Sequence, residues 1–461
     1  MFLKKILLSL IYITLIYGCA VGPDYRQPDL KMPSSWQAPQ AGKTADLKNW
    51  WLRFNDSALN VLLHEAQNNS PSLAKAAAAI EKARATRSSA GAGLWPILEA
   101  NGNATVSGSL RNGDGTTKTT SGGFDASWEL DLFGKTRRSV ESADALLQAR
   151  EADWHDARIS LAAEVAGDYV DYRACRIKQK YYEEQAESQR KTSELTQLSA
   201  KVGFTAPADA RLAEASAANT RSIALAQKAE CEVLVKTLVA LTGMEEPALC
   251  RTLSPDKDNL PQPEGLKVTS VPANLLRQRP DIVSAERALA SASALIGVAE
   301  AKRWPSLTLS GTIGLTSVVN AATTAPWSFG PALTLPIFDG GSITAGIKSA
   351  RADYDSSLAD YKEIVRKAVK EVEQALVRLD SMAKREEESR KSAEGYRAYL
   401  TATEQNWRVG GASLLDLETA RRSTITTEVS LLELQQNRLI YWIALYKAVG
   451  GDWQADKKET K

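Results

Sequence analysis

Residues 303–317 read RWPSLTLSGTIGLTS, and within them Leu307, Leu309, Gly311, Ile313 and Leu315 alternate with Thr308, Ser310, Thr312, Gly314 and Thr316. A period of two over about ten residues predicts a β-strand with one apolar and one polar face, at the length a tilted strand needs to cross a bilayer. Trp327, Phe329, Leu333, Leu335 and Ile337 continue an apolar face in the next segment, after a polar tip at Ser317 to Ala325 that suits a solvent-exposed hairpin loop. An earlier pair has the same plan. Phe124, Ala126, Trp128, Leu130 and Leu132 alternate with Asp125, Ser127, Glu129 and Asp131, and the preceding segment, Ile97 to Ser109, is weaker and rich in Gly, Asn and Thr, with a tip at Arg111 to Gly123 between them. The plain alternative is a soluble antiparallel sheet with one buried face.

The resemblance between the two pairs extends along the chain. Trp95-Pro96 recurs as Trp304-Pro305, Ser70-Pro71 as Arg279-Pro280, and Gly102 as Gly311; Val202-Gly203 with Asp209 recurs as Val409-Gly410 with Asp416, and Gly243 as Gly450. A spacing of about 207 residues is too long for a solenoid unit and reads as two copies of one half-domain, each with helix, strand pair, long helix, turn and helix. The order of marks divides the chain into a leader (1–18), an N-terminal segment (19–58), a first repeat (59–250), a connector (251–271), a second repeat (272–453) and a tail (454–461).

Lys4-Lys5, the apolar run Ile6 to Tyr17 and Gly18-Cys19 form a secretory signal too short for a membrane span. The cysteine placement resembles a bacterial lipoprotein box, which implies that Cys19 becomes the acylated first residue; Ala20 after it resembles lipoproteins sorted to the outer membrane. No later stretch reads as long and apolar enough for a transmembrane helix, so any crossing would be by strands. With 57 Lys and Arg against 55 Asp and Glu, nothing points to nucleic acid or an acidic polymer. Of the remaining cysteines, Cys175 falls on an apolar helical stripe and reads as packing, while a Cys231–Cys250 bridge stays open.

After each strand pair the period changes to seven. From Ser342 to Arg408 there is no proline, and Tyr354, Leu358, Tyr361, Val365, Ala368, Val372, Ala375, Leu379 and Met382 keep a four-three spacing, a coiled-coil seam. Lys135 to Lys201 also lacks proline and carries Leu147, Trp154, Leu161, Val165, Tyr172 and Cys175 at equivalent positions. Each helix would run on the order of 100 Å. Returning helices at about Ala210 to Leu241 and Leu417 to Val449 are shorter and need extension by the segments Leu59 to Gly91 and Asp281 to Ala301.

Four strands are too few for a single-chain membrane barrel, and unpaired strand edges facing lipid cost several kcal/mol per polar group. A barrel shared between chains resolves this, and three copies of four strands close a barrel of twelve. The expected fold is therefore a mixed membrane α/β protein: a trimeric twelve-stranded β-barrel continued by a long α-helical coiled-coil barrel, with an internal two-fold sequence repeat.

Cys19 to Tyr25 (CAVGPDY), Trp50-Trp51 with Phe54 and Asp56, Pro272-Ala-Asn-Leu-Leu with Arg279-Pro280-Asp281, Trp304-Pro305-Ser306, Phe338-Asp339-Gly340, Val409-Gly410 with Asp416, and Ala448 to Gly450 follow one another along nearly the whole mature chain. With these residues the chain resembles TolC-type outer membrane factors, in the lipoprotein branch that serves multidrug efflux pumps. The resemblance implies an outer-membrane, lipid-anchored homotrimer whose helical barrel projects into the periplasm and works with a periplasmic adaptor protein and an inner-membrane efflux transporter. It implies an exit duct for small toxic compounds, with a duct for type I polypeptide secretion as the near alternative. A coiled-coil envelope lipoprotein, needing no barrel strands, is the alternative from another class. Two His and four Met give no support to a dedicated metal route.

Catalysis finds no footing. Phe133-Gly134-Lys135-Thr136 ends like a phosphate-binding loop but has Glu129 where glycine is needed, Gly91-Ala-Gly93 meets Pro96 where a dinucleotide loop needs its third glycine, and His64 and His155 lack ligands at metal spacing. No cofactor or metal is expected. The working sites are the helix-turn tips, Lys201-Val202-Gly203 with Asp209 and Arg408-Val409-Gly410 with Asp416, where glycine suits a left-handed cap and an early aspartate suits a helix N-terminus. By resemblance these tips meet the adaptor. Leu415, Asp416, Thr419 and Arg422 fall on one helix face, and the resemblance implies a periplasmic gate there.

Overall fold

The structure, a computed structural model, describes residues 20–29, 36–37, 50–108, 116–253, 259–263, 273–319 and 321–451. The leader, Cys19 and the tail from 454 lie outside the described residues. A short 3₁₀ turn (Trp50–Phe54) leads to α1 (Ser57–Asn69), α2 (Pro71–Ala92), β1 (Ile97–Ser107), β2 (Thr117–Leu130), α3 (Lys135–Lys201), α4 (Pro207–Thr242) and α5 (Glu246–Leu253). A second 3₁₀ turn (Ala273–Gln278) precedes α6 (Pro280–Ala301), β3 (Ser306–Val318), β4 (Trp327–Thr334), α7 (Ser342–Arg408) and α8 (Leu414–Ala448). Helix, strand pair, long helix and returning helix thus occur twice, and α3 and α7 are both 67 residues long.

The chain forms two compact units. One holds residues 1–30, 76–153 and 281–364, the other 31–75, 154–280 and 365–461. Each unit draws on both repeats.

In the first unit the strands form one antiparallel sheet in the order β1-β2-β3-β4, so the two repeats join through β2 and β3. The register puts Trp128 opposite Leu309, Ala126 opposite Gly311 and Phe124 opposite Ile313. It also puts Gly311 opposite Phe329 and Ile313 opposite Trp327, and with Leu98 of β1 opposite Ala126, most of the large apolar residues of the four strands share one face. That face is open within the chain: Trp327, Phe329 and Leu98 are each about three-quarters exposed (76%, 74% and 70%). The strand ends differ from the alternation. β2 begins at Thr117, well inside the expected tip, and Leu132, Leu335 and Ile337 fall beyond their strands. Alternation marks apolar positions only, and the polar start of β2 pairs through its backbone with β1 and β3 regardless of side chain.

α6 corrects a second expectation. By length and composition it could cross a membrane, yet more than half of its most apolar stretch is buried inside the chain. Its Ala and Ser residues allow close packing, as where Ser291 Oγ lies 2.7 Å from Ser142 Oγ of α3. Along it runs the N-terminal strap, residues 20–29. Gly22 and Gly297 pack so closely that a β-carbon on Gly22 would collide with the Gly297 Cα. Val21 N–H donates to the Phe133 carbonyl (3.1 Å), Arg138 reaches Asp24 (2.7 Å), and the Tyr25 hydroxyl donates to Glu286 (2.5 Å).

In the second unit the heptad reading holds in its central part. Tyr361, in the first unit, and Val365, Ala368, Val372, Ala375, Leu379 and Met382 are buried on α7, as are Leu161, Val165 and Cys175 on α3. Tyr354, Leu358, Leu147, Trp154 and Tyr172 are half-buried. The motif residues outside the seam have packing roles. Asp56 accepts from Ala58 N–H (3.0 Å) at the start of α1 and from the buried Tyr169 hydroxyl (2.8 Å), and Phe54 meets Trp442 edge-on at 5.6 Å. Arg279 donates to the Ala448 carbonyl (2.5 Å) and to Glu371 (2.9 Å). Gly450 (φ +86°) passes so near Arg279 that a β-carbon would lie 3.1 Å from its Cα.

Cys175 is not plain packing. It is bonded to Cys231 across α3 and α4 with a Cα separation of 5.6 Å, and among the described residues Cys250 is the free, exposed thiol. The open Cys231–Cys250 alternative is thereby replaced. Antiparallel pairing of the two helices brings positions 56 residues apart face to face, which spacing along the sequence does not display.

Candidate functional site

The two tips belong to the second unit and close with the same backbone turn. At the first, Gly203 (φ +82°) comes after Val202; Phe204 N–H donates to the Ser199 carbonyl (3.0 Å) and Gly203 N–H to that of Ala200 (3.2 Å). At the second, Gly410 (φ +80°) comes after Val409; Gly411 N–H donates to the Asn406 carbonyl (2.8 Å) and Gly410 N–H to that of Trp407 (3.0 Å). Both are paired left-handed caps of the Schellman kind, which satisfy the last carbonyls of a helix and favour glycine at the positive-φ position. Apolar side chains stand out at both: Val202 and Phe204 (88% exposed) at the first, Val409 (82% exposed) at the second.

The returning helices start differently. Ser413 caps α8 by accepting from Asp416 N–H (3.1 Å), and the Asp416 carboxylate accepts from Ser413 N–H (3.0 Å) and its hydroxyl (2.6 Å), a complete capping box. The Ser413 hydroxyl and then its N–H hold the Asp416 carboxyl below the usual carboxylate range. Ala206 stands at the corresponding place before α4 and supplies no side-chain cap, Pro207 opens the helix, and Asp209 lies in the first turn. Proline at that position is preset for helix and gives up an N–H that would have no helical partner.

Leu415, Asp416, Thr419 and Arg422 lie on one face of α8, turned away from the buried face that Leu414, Leu417, Ala420, Arg421 and Thr424 form. Leu415, Thr419 and Arg422, with Leu212 and Ile223 of α4, line an open groove of about 560 Å³. Asp416 is turned to its own helix start by the capping box.

Arg421 is the residue that sequence reasoning missed. Its side chain is buried (8% exposed), and it donates to Thr192 of α3 (2.8 Å), to Glu404 of α7 (3.2 Å) and to Glu418 (3.4 Å). Gln189 of α3 also donates to Glu418. One guanidinium thereby joins three helices close to the tips. The signal that could have found it is its phase: Leu414, Leu417, Arg421 and Thr424 recur at the core spacing of α8. Farther along, Arg397 pairs with Glu428 (2.7 Å) and Arg438 with Glu386 (2.7 Å), so ion pairs join α7 and α8 at three levels.

Among the described residues no group of His, Cys, Asp and Glu has a metal-binding arrangement. What the arrangement offers is an exposed apolar sheet face, two long helical hairpins with exposed apolar tips, and a polar cluster near one of them. These are the parts of an outer-membrane export duct. The outer membrane efflux protein family profile matches residues 62–244 and 271–451, once in each repeat, and the chain belongs to that family. It is 32% identical over 448 residues to nodulation protein T of Rhizobium leguminosarum bv. trifolii, spanning 95% of this chain and 96% of the relative. It is 29% identical over 453 residues to the cation efflux system protein CusC of Escherichia coli O6:H1, spanning 95% and 96%. Among solved structures, the outer-membrane channel OprN superposes with a TM-score of 0.83 at 30% identity over 95% of this chain and 100% of the other. The chain accordingly has the TolC-type fold and the function of an outer-membrane efflux duct.

Proposed function

We propose that three copies of the chain form the lipid-anchored exit duct of a tripartite pump, closing a twelve-stranded barrel in the outer membrane and carrying small toxic compounds out. The observation that carries this reading is the sheet: an apolar face open to its surroundings, bounded by β1 and β4 as outer strands. Such edges are viable in lipid only when paired. The coiled-coil spacer, which needs no such sheet, fits poorly with it.

The tips at Val202, Gly203, Asp209, Val409, Gly410 and Asp416 serve as the docking points for a periplasmic adaptor, which links the duct to an inner-membrane efflux transporter. Leu415, Asp416, Thr419 and Arg422 serve as the periplasmic gate. Cys19 carries the lipid. The strap supports this last assignment, because Ala20 packs against Gly134 at the turn between β2 and α3, so an acyl chain on Cys19 starts one residue from the base of the sheet. CusC is named for cation efflux, but with two His and four Met in this chain an organic cargo is the better reading.

The mass of the purified protein in detergent tests the assembly: three copies are expected, and a one-chain or two-chain mass would overturn it. Cys19→Ala should abolish acyl labelling without loss of that mass, since a barrel already holds the membrane. An unlabelled wild-type protein would refute the anchor.

A further inference from the structure

The strand edges carry more than an oligomeric state, because the repeat dictates how they meet. Within the chain, the last strand of the first repeat, β2, pairs with the first strand of the second, β3. In a closed ring the last strand of the second repeat, β4, meets the first strand of the first repeat, β1, of another copy. If the two junctions are equivalent, the register of one fixes the register of the other.

The transfer needs two offsets between the repeats. Trp95 and Trp304 set β1 to β3 at 209 positions. Lys135 and Ser342, the first residues of α3 and α7, set the downstream ends of β2 and β4 at 207. The pairings check this independently: Ile97 faces Ser127 in the first repeat and Ser306 faces Thr334 in the second, which are again steps of 209 and 207. Applied to β2 and β3, the step carries Gly122↔Leu315 to Phe329↔Val106, Ala126↔Gly311 to Leu333↔Gly102, Ser127↔Ser310 to Thr334↔Asn101, and Ser121↔Thr316 to Ser328↔Ser107.

We propose that β4 of one copy pairs antiparallel with β1 of the next in this register, with Phe329 opposite Val106 and Thr334 opposite Asn101. The inference rests on the trimer reading and adds the register to it. Face parity agrees without having been used: Phe329, Leu333 and Val106 lie on the apolar face of the sheet, and Ser328, Thr334, Asn101 and Ser107 on the polar face. A slip of one residue would set apolar against polar all along the junction. The nearest competing registers are therefore two residues away. The register also brings Ile337 and Leu98, exposed at 89% and 70% within one chain, into line on the lipid face beyond the end of β4. Pro331 lacks an N–H and costs the β4 ladders one bond, which the remaining pairs tolerate.

Cysteine pairs read the register directly. In a Cys250→Ser background, Thr334→Cys with Asn101→Cys and Ser328→Cys with Ser107→Cys should each form an oxidant-dependent ladder ending at a three-copy band. The shifted pairs, Thr334→Cys with Asn103→Cys and Thr334→Cys with Glu99→Cys, should give at least about tenfold less, and single-cysteine chains none. Stronger cross-linking in a shifted pair overturns the register, as does no cross-linking in assemblies that keep the three-copy mass. A wild-type protein without that mass would instead overturn the trimer, so the two failures are distinguishable. Two proposed pairs are used so that one poorly assembling variant leaves the other to decide.

Discussion

The two helical hairpins of the second unit come from the same repeated sequence and end in the same glycine turn, yet they are fastened by different chemistry. The first, α3 with α4, is stapled by Cys175–Cys231 and starts its returning helix with proline and no side-chain cap. The second, α7 with α8, has Met382 where the first has Cys175; it is held by Arg421, Arg397 and Arg438 against Glu404, Glu428 and Glu386, and carries a full capping box. A disulfide fixes two helices permanently in an oxidising compartment. Ion pairs fix them conditionally, because a competing charge or an entering partner can take their place. Under the gate proposed above, the first hairpin would be the static wall and the second the part that moves.

Breaking the staple should have the largest effect. A bond closing a loop of 56 residues contributes about 4 kcal/mol in the chain-entropy account. Cys231→Ser, or reductant added to the wild type, should lower the unfolding midpoint of the purified protein markedly. An unchanged midpoint would mean that the thiols are not bonded.

Next comes Arg421→Met, which leaves Glu404 and the largely buried Glu418 without their cation, at a cost on the order of 3 kcal/mol. Trimer mass should survive, whereas protease access to the second tip should increase. If the first tip were the one exposed, the assignment of wall and moving part would be reversed.

A bulky residue at Gly203 or Gly410 forces a β-carbon into positive φ, at about 1 kcal/mol or more. A β-carbon at either position would meet no atom of another segment within 4 Å, so the strain is confined to the turn. Assembly should persist while adaptor cross-linking and drug resistance fall; full resistance with both replaced would exclude docking at the tips. A smaller change should sharpen the comparison. Ala206→Ser supplies the cap that the first tip lacks, with Asp209 already three residues on, and should add about 0.5–1 kcal/mol. No gain would mean that Pro207 holds the turn in a geometry the hydroxyl cannot use.

The last effect concerns pH. Burial, then the charges of Asp171 and Glu164, raise the Asp168 carboxyl to about 6. The folded state therefore binds this proton more tightly than the unfolded chain, and its stability falls as pH rises from about 4 to about 6. Asp168→Asn should flatten urea-unfolding midpoints across that window, and an unaltered slope would place the dependence elsewhere.

The parts that were legible in the sequence are those written in a period. Leu307 to Leu315 announce a strand, Tyr361 to Met382 a seam, and the paired glycines the tips, because backbone geometry repeats at two or at seven and side chains keep step with it. What stayed hidden depends on pairing between elements. Cys175 joins Cys231 only because antiparallel helices bring them level, and with Cys19 set aside for lipid the odd remainder of three cysteines concealed the bond. Arg421 went unread beside Arg422 because charge alone does not mark a core position; its phase on α8 puts it inside, where carboxylates from two helices stabilise it. The start of β2 at Thr117 is a backbone pairing with no apolar signal to mark it.

Single-channel current through the purified protein in planar bilayers tests the central claim, that this is a duct closed at its second tip. Wild-type protein should insert and conduct weakly, and Asp416→Ala together with Arg422→Ala should raise the conductance while the three-copy mass is kept. Equal currents from the two proteins would place the constriction elsewhere, and no channel activity from either would contradict the duct itself.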